Sequence, residues 1–446
     1  MSKSITSKTF YILFLIAIVS CTKEGKTSNG LFQGEIESVK TFGGLKNETA
    51  NDVISTIDGG YAVIGYTQSN DGDITDKINE SYDYWVLKFD ENNQLQWSNS
   101  YGGTSDERGQ SIIQTNDSGY FISGFSKSSD EDVSTNFGSN DYWVAKLDAT
   151  GNILWEKSFG FSGTDQAFSS IQTLDGGYLI TGTLDVTASS QQGNDRSSLS
   201  SRHAGGDYWA IKLDASGTKQ WRRFFGGSNT DSANDVIQTE DSGFLMVGLS
   251  DSIDIDISNN KGTYDFWVVK INSNGELVWE KSYGGEESDQ AYEITKTSDG
   301  NFVITGDTRS DNLDVITNYG SADIWTIKIS PLGEIIWKKT FGGSSFDSSK
   351  AIIASRDGGF YIAGNSRSIN NDLTSNKGNN DVWVLKISES GNLEWQKSIG
   401  GTEIDLAFGI AELNNNSIVV VGESWSSNNE VLENKGFSDL LIINIK

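Results

Sequence analysis

Acidic residues recur along this chain at fixed intervals, and carboxylates are the side chains best placed to do chemistry in it. Glu48, Glu107, Asp231, Asp289, Asp347 and Asp405 each stand four residues after a glycine pair, and Asp165 takes the same place after Gly160-Phe161. A second series follows as Asx–acid pairs: Asp71/Asp73, Asp130/Asp132, Asp254/Asp256, Asn312/Asp314, Asn370/Asp372 and Asn428/Glu430. An Ile, Val or Leu follows every pair. Two chemistries suit these residues. Carboxyl groups about 5–10 Å apart cleave glycosidic bonds, and clustered carboxylate and amide oxygens bind Ca²⁺, which takes six to eight hard oxygen ligands. The plainer reading makes the pairs Asx-turns that satisfy local backbone donors, with the apolar residue plugging a gap. On that reading each acid after a glycine pair simply bonds backbone amides. Repetition by internal symmetry favours the plainer reading. Calcium is the one cofactor the sequence leaves open.

Other chemistries lack their parts. The chain has one histidine, His203, and one cysteine, Cys21, so no Ser/His/Asp or Cys/His set and no zinc site can be assembled. No phosphate-binding loop or dinucleotide motif occurs. His203 lies with Arg196 and Arg202 in a Ser- and Gly-rich stretch at 184–206, the strongest irregularity in the sequence; its composition suits a disordered insertion, and the alternative is a loop that contacts a ligand or partner. Trp425 stands outside the tryptophan pattern described below and is a candidate platform for a sugar ring.

Cys21 has a different role. Lys3 and Lys8 precede an apolar run at 10–19, too short to span a bilayer in a helix, which takes about twenty residues. The run ends in Ile18-Val19-Ser20-Cys21, which resembles the lipobox of bacterial lipoproteins. That resemblance implies a signal peptide over 1–20, a lipid on Cys21, and a flexible tether over 21–34. Thr22 after the cysteine implies passage to the outer membrane rather than retention in the inner one.

Formal net charge is −27, and removing residues 1–20, which hold two lysines and no acid, takes it to −29. Such a surface repels phosphates and anionic lipid headgroups, so nucleic acid is a poor partner and membrane contact should run through the lipid alone.

The elements that position these residues follow from a repeat. Asp83, Asp141, Asp207, Asp265, Asp323, Asp381 and Asp439 open equivalent stretches at spacings of 58, 66, 58, 58, 58 and 58. Each unit holds four strand-like stretches, the last two with alternating apolar and polar residues, separated by Gly, Asn and Asp turns, the pattern of antiparallel strands. Seven four-stranded units predict a seven-bladed, all-β propeller over 35–446. The seventh unit stops at its third strand, and IESVKTF near the N-terminus matches the missing fourth, so the first strand should complete the last blade. Tryptophan marks strand C (Trp85, Trp143, Trp209, Trp267, Trp325, Trp383) and strand D (Trp97, Trp155, Trp221, Trp279, Trp337, Trp395) of six blades; both are missing from the seventh. That joint loss predicts that each pair touches within its own blade.

The stretch DATGNILW at 148–155, recurring as DASGTKQW at 214–221, resembles the tryptophan-docking motif of quinoprotein (PQQ-type) propellers. The resemblance implies strands A to D running outward from the axis, with tryptophan on D. The GG-x-x-x-D-x-A…DGGY…DYW-x-x-K pattern is also similar to secreted bacterial repeat proteins labelled bulb-type lectin-like or endoglucanase-like. In such a ring the B–C loops and the D-to-A links share one face, so seven acids should ring the channel mouth there. The expectation is a non-catalytic envelope module that recognises a glycan or protein through this face. The alternative is a glycan-active hydrolase or lyase using acids of the ring.

Overall fold

The computed structural model describes Met1, residues 34–195 and residues 202–446. Cys21 and Arg196 lie outside the described residues. From Gly34 to Lys446 the chain forms seven antiparallel sheets of four strands each. In blade 2 strand A is Glu107–Gln114, B is Tyr120–Ser126, C is Asp141–Leu147 and D is Ile153–Phe159. Strands B and C are buried along their whole length in this blade, because each blade is covered on both faces by its neighbours. The seven-bladed propeller is thus present, and all-β.

The ring closes as the repeat predicts. Ile36–Phe42 pairs antiparallel with Asp439–Ile445, and Glu35 and Lys446 exchange backbone hydrogen bonds of 2.8 and 2.9 Å at the seam.

The tryptophans behave differently from the expectation, for a reason of register. Trp85 lies opposite Ser100, and Trp97 lies opposite Lys88. Residues 85 and 88 are three apart, so with side chains alternating along a strand the two indoles leave the blade on opposite faces. The contacts therefore run between blades. In blades 2 to 5 the strand C indole meets the aromatic ring before the equivalent position in the preceding blade: Tyr84 against Trp143 at 4.7 Å, Tyr142 against Trp209 at 4.8 Å, Tyr208 against Trp267 at 4.5 Å and Phe266 against Trp325 at 4.7 Å. The strand D indole reaches forward to the C–D turn of the next blade, where a glycine at positive φ makes room. A Cβ on Gly217 would stand 2.9 Å from the Trp155 ring, and one on Gly275 3.0 Å from the Trp221 ring. Blade 7 carries Ser38 on strand D, and the turn that would receive an indole, in blade 1, carries Asn93 at φ 60° in place of the glycine. Loss of the indole and loss of its docking glycine go together across the seam.

On the face opposite the B–C loops, the lysine of strand C pins the A–B turn. Lys88 reaches Asp58 at 2.8 Å and Lys146 reaches Asp117 at 3.0 Å.

Candidate functional site

The acids after the glycine pairs do not hang in loops. Glu48, Glu107, Asp231, Asp289, Asp347 and Asp405 are the first residues of strand A, Asp165 immediately precedes its strand, and all seven have no solvent exposure. Each carboxylate accepts an amide of its own D-to-A link. Gly44 N donates to Glu48 at 2.8 Å, Gly103 N to Glu107 at 2.7 Å, and Phe161 N to Asp165 at 2.8 Å. Gly227, Gly285, Gly343 and Gly401 donate equivalently to Asp231, Asp289, Asp347 and Asp405 at 2.6–2.7 Å. Further bonds come from the end of strand B, as Ser128 N to Glu107 at 3.1 Å and Ser252 Oγ to Asp231 at 3.0 Å. The ring is a set of rivets joining each link to its blade.

The B–C pairs are rivets of the same kind. The first member binds the residue after the glycine pair: Leu45 N to Asp71, Thr104 N to Asp130 and Ser228 N to Asp254, each at 2.9 Å. The second member binds the first glycine: Gly43 N to Asp73 at 2.9 Å, Gly102 N to Asp132 at 3.2 Å, Gly226 N to Asp256 at 3.3 Å, Gly284 N to Asp314 at 3.3 Å and Gly342 N to Asp372 at 3.1 Å. Lysines join the same oxygens, with Lys435 Nζ on Asp73 Oδ2 at 2.5 Å and Lys261 Nζ on Asp314 Oδ2 at 2.7 Å. Each of these pairs is thus engaged by amides of the adjoining link, as the plainer reading expects. Among the described residues no group of three or more acids, histidines or cysteines is arranged to hold a metal. The apolar residue after each pair is buried, with Val133 and Ile257 exposed by 0% and 3%.

His203 is buried as well. It occupies the place that Lys261, Lys377 and Lys435 occupy in other blades, four residues before the strand C aspartate, and its Nδ1 lies 2.6 Å from Asp207 Oδ2. Its ring packs edge-on against Phe224 at 4.9 Å. Burial works against the imidazolium, but the Asp207 bond and charge hold the His203 pKa above its ordinary value. A histidine so enclosed is a structural partner of Asp207 and is not positioned to meet a ligand at the surface. Arg202 beside it is exposed. Trp425, 36% exposed, follows strand B of blade 7 and donates its backbone amide to Ile404 O at 2.9 Å. Arg309 and Arg367 make the same backbone bond in blades 5 and 6, so Trp425 occupies a regular site whose side chain varies from blade to blade.

Another set of polar side chains lies on the axis, where the sequence reading did not look. Every strand A carries a β-bulge at the same place, between Ala50 and Asp52 in blade 1 and between Ala291 and Glu293 in blade 5. A bulge sets two residues against one and re-aims side chains. Here the bulged residue and the next line a cavity of about 210 Å³: Asn51 and Asp52, Gln110 and Ser111, Asn234 and Asp235, Tyr292 and Glu293, with Phe168, Lys350 and Phe408 from the other blades. Three acids reach across to the next blade's backbone. Ile112 N donates to Asp52 at 3.0 Å, Ile294 N to Asp235 at 3.0 Å, and Ile352 N to Glu293. Burial raises Asp52 and Asp235 to about 6, and burial with the charge of Asp235 raises Glu293 further. Lys350 stacks its ammonium over the Tyr292 ring, 3.1 Å from the centroid, and burial lowers it to about 8. The signal for this set was available. Positions three and four after each ring acid change type from blade to blade, while the residues around them repeat.

No family model matches this chain. It is 23% identical over 301 residues to the regulatory protein FlaEY of Caulobacter vibrioides, a match over 62% of this chain and 31% of that protein. The chain therefore spans less than a third of that relative's length. Among solved structures, the WD40 domain of Neurospora crassa Pan2 is similar at 8% identity and a TM-score of 0.49, over 93% of this chain and 97% of that one. A gluconolactonase of Xanthomonas campestris is similar at 9% identity and a TM-score of 0.36, over 76% and 86%. These likenesses carry no argument about activity. The seven-bladed ring rests on the chain's own sheets.

Proposed function

We propose that this chain is a non-catalytic binding or scaffold module of the bacterial cell envelope, tethered to the outer membrane by a lipid on Cys21, and that it grips its partner through the B–C loop face. One observation carries the reading. The loops of that face hold their polar groups inward as rivets and leave large apolar side chains outward, among them Ile78 (88% exposed), Ile253 (75%), Ile316 (73%), Ile369 (69%) and Leu432 (82%). Solitary exposed apolar residues need no explanation, but their gathering on one face of a strongly acidic protein marks an interaction surface. Their aliphatic character favours a protein partner. Phe137, Tyr319 and Trp425 on the same face are the groups a glycan would use. The lipid anchor rests on the lipobox-like sequence.

The alternative reading, a hydrolase or lyase using the ring acids, loses its candidates to backbone bonding. The test is retention of an envelope component on the immobilised chain. A stoichiometric partner should be held by the native chain and by Leu154→Ser on strand D, and lost with Ile253→Ser/Ile369→Ser. Equal retention by all three chains would overturn the reading.

A further inference from the structure

The axial cavity is the other place where the sevenfold repeat is broken, and its chemistry differs from that of the loop face. The bulges give every blade the same backbone there, so the differences lie in side chains alone. Blades 1 and 4 contribute Asx pairs, blade 2 an amide and a hydroxyl, blade 3 a phenyl ring and a hydroxyl, blade 5 a phenol and a carboxyl, blade 6 an ammonium, and blade 7 a phenyl ring.

Several of these groups keep bonding capacity that the fold does not use. The side-chain amide of Gln110 makes no hydrogen bond among the described residues. Lys350 Nζ has the face of Tyr292 beneath it and no hydrogen-bond acceptor among the described residues, so its three donors remain to be met. Glu293 uses Oε2 for Ile352 N, while Oε1 has no partner among the described residues. Asn51 and Asn234 spend their NH₂ groups on Gly109 O and Ala291 O, at 2.7 and 2.6 Å, which leaves their carbonyl oxygens as acceptors.

The mixture selects among ligand classes. A metal cation meets the Lys350 ammonium and finds no set of three acids arranged to hold it. A free anion meets Asp52 and Asp235 across the axis. A wholly apolar molecule leaves donors and acceptors unmet, at about 1–3 kcal/mol for each such group. A neutral polyhydroxyl ring offers a donor and an acceptor at each hydroxyl and apolar C–H faces between them. It matches acids and amide carbonyls as acceptors, Lys350 and Gln110 as donors, and Phe168 and Phe408 as apolar walls. The cavity of about 210 Å³ is somewhat larger than the roughly 150 Å³ that takes up a benzene ring, the scale of one sugar ring. We propose that the axial cavity binds a single neutral sugar unit, held by Lys350 and Gln110 as donors and by Glu293 and the carbonyl oxygens of Asn51 and Asn234 as acceptors.

This inference stands apart from the loop-face reading, because the two surfaces share no residue. The test is saturation-transfer NMR on the chain with glucose, galactose, mannose and N-acetylglucosamine, one at a time. At least one of the four should receive saturation, and Lys350→Met should weaken its binding roughly tenfold or more, as loss of a hydrogen bond from a charged donor does. Gln110→Ala should weaken it with an unchanged melting temperature, since Gln110 has no internal bond to lose; this variant keeps the test valid if Lys350→Met fails to fold. Ile253→Ser/Ile369→Ser should leave it unchanged. Absence of transfer to all four sugars, or transfer untouched by Gln110→Ala, overturns the proposal.

Discussion

Asp265 Oδ1 and Asp289 Oδ2 converge on the bare Cα of Gly284, lying 2.5 and 2.6 Å from the point where a side-chain carbon would stand. The same meeting of a strand C aspartate with the acid opening the next strand A recurs at Gly226 (Asp207, Asp231), Gly342 (Asp323, Asp347), Gly400 (Asp381, Asp405) and the seam glycine Gly43 (Asp439, Glu48). The strand C aspartates at these junctions are fully buried, and each has an Oδ1 without a hydrogen-bond partner. Only glycine leaves space for two carboxyls at this point, which explains why the glycine pair and the two acids recur together.

Those junctions set an unusual pH dependence. Burial, reinforced by the neighbouring acid, pushes Asp265 and Asp323 up to about 7. A carboxyl raised on folding contributes stability that is complete below its unfolded value near 3.8 and is lost as pH rises through the folded value. Turn acids such as Asp117 and Asp241 are held down at about 2, by hydrogen bonds from Thr115 and Thr239 and by lysine partners, and their contribution is lost only below about pH 4. The melting temperature is therefore expected to rise on acidification from pH 8 to about pH 5. Asp323→Asn, whose amide can donate to Asp347, should flatten that slope. A melting temperature that falls steadily over this range contradicts the account.

The inter-blade indoles predict a graded loss. Trp143, fully buried against Tyr84, should cost about 3–5 kcal/mol on replacement by alanine. Trp155 is only partly buried and should cost less. Ser38→Trp with Asn93→Gly should raise stability through the docking that blade 7 lacks, and either change alone should do less. Chemical denaturation of the five variants checks the order.

His203→Lys places in blade 3 the residue that blades 4, 6 and 7 use at the same position, and should melt close to the native chain. His203→Ala leaves Asp207 buried without its partner and should cost about 1–3 kcal/mol. Raised on folding, His203 adds stability that is complete below about 6.5 and is lost as pH rises through its folded value. His203→Ala should therefore be closer to native at high pH.

Ile255 sits at φ 61°, between Asp254 and Asp256, where blade 1 has Gly72. A β-branched residue in this left-handed region costs at least about 1–2 kcal/mol. Ile255→Gly should raise the melting temperature, and Gly72→Ile should lower it. Calcium and chelator should each leave the melt unmoved, because the loop carboxylates are already committed to amides of the adjoining links.

The sequence made the architecture legible because glycine turns, alternating strands and the 58-residue spacing all repeat. Its silence on the axis has a physical cause. The bulge in strand A breaks the two-residue alternation where Asp52, Asp235 and Glu293 turn inward, so the pattern conceals which residues face the cavity. The tryptophans were misplaced for a related cause, since the counterparts of Trp85 and Trp97 are lost together in blade 7, yet register puts the two on opposite faces of a blade. The burial of the ring acids was not readable either, because a carboxylate bonded to backbone amides and one waiting for substrate have the same spacing.

Partners are proposed to meet the B–C loop face, and site-specific photo-crosslinking in cells that make the protein tests this most directly. A crosslinker at Ile369 reports the loop face, one at Leu174 the opposite face, and one at Leu154 the outer edge. The account predicts a discrete, reproducible adduct from Ile369 and none from the other two. Adducts from Leu174 or Leu154 with none from Ile369 would contradict it.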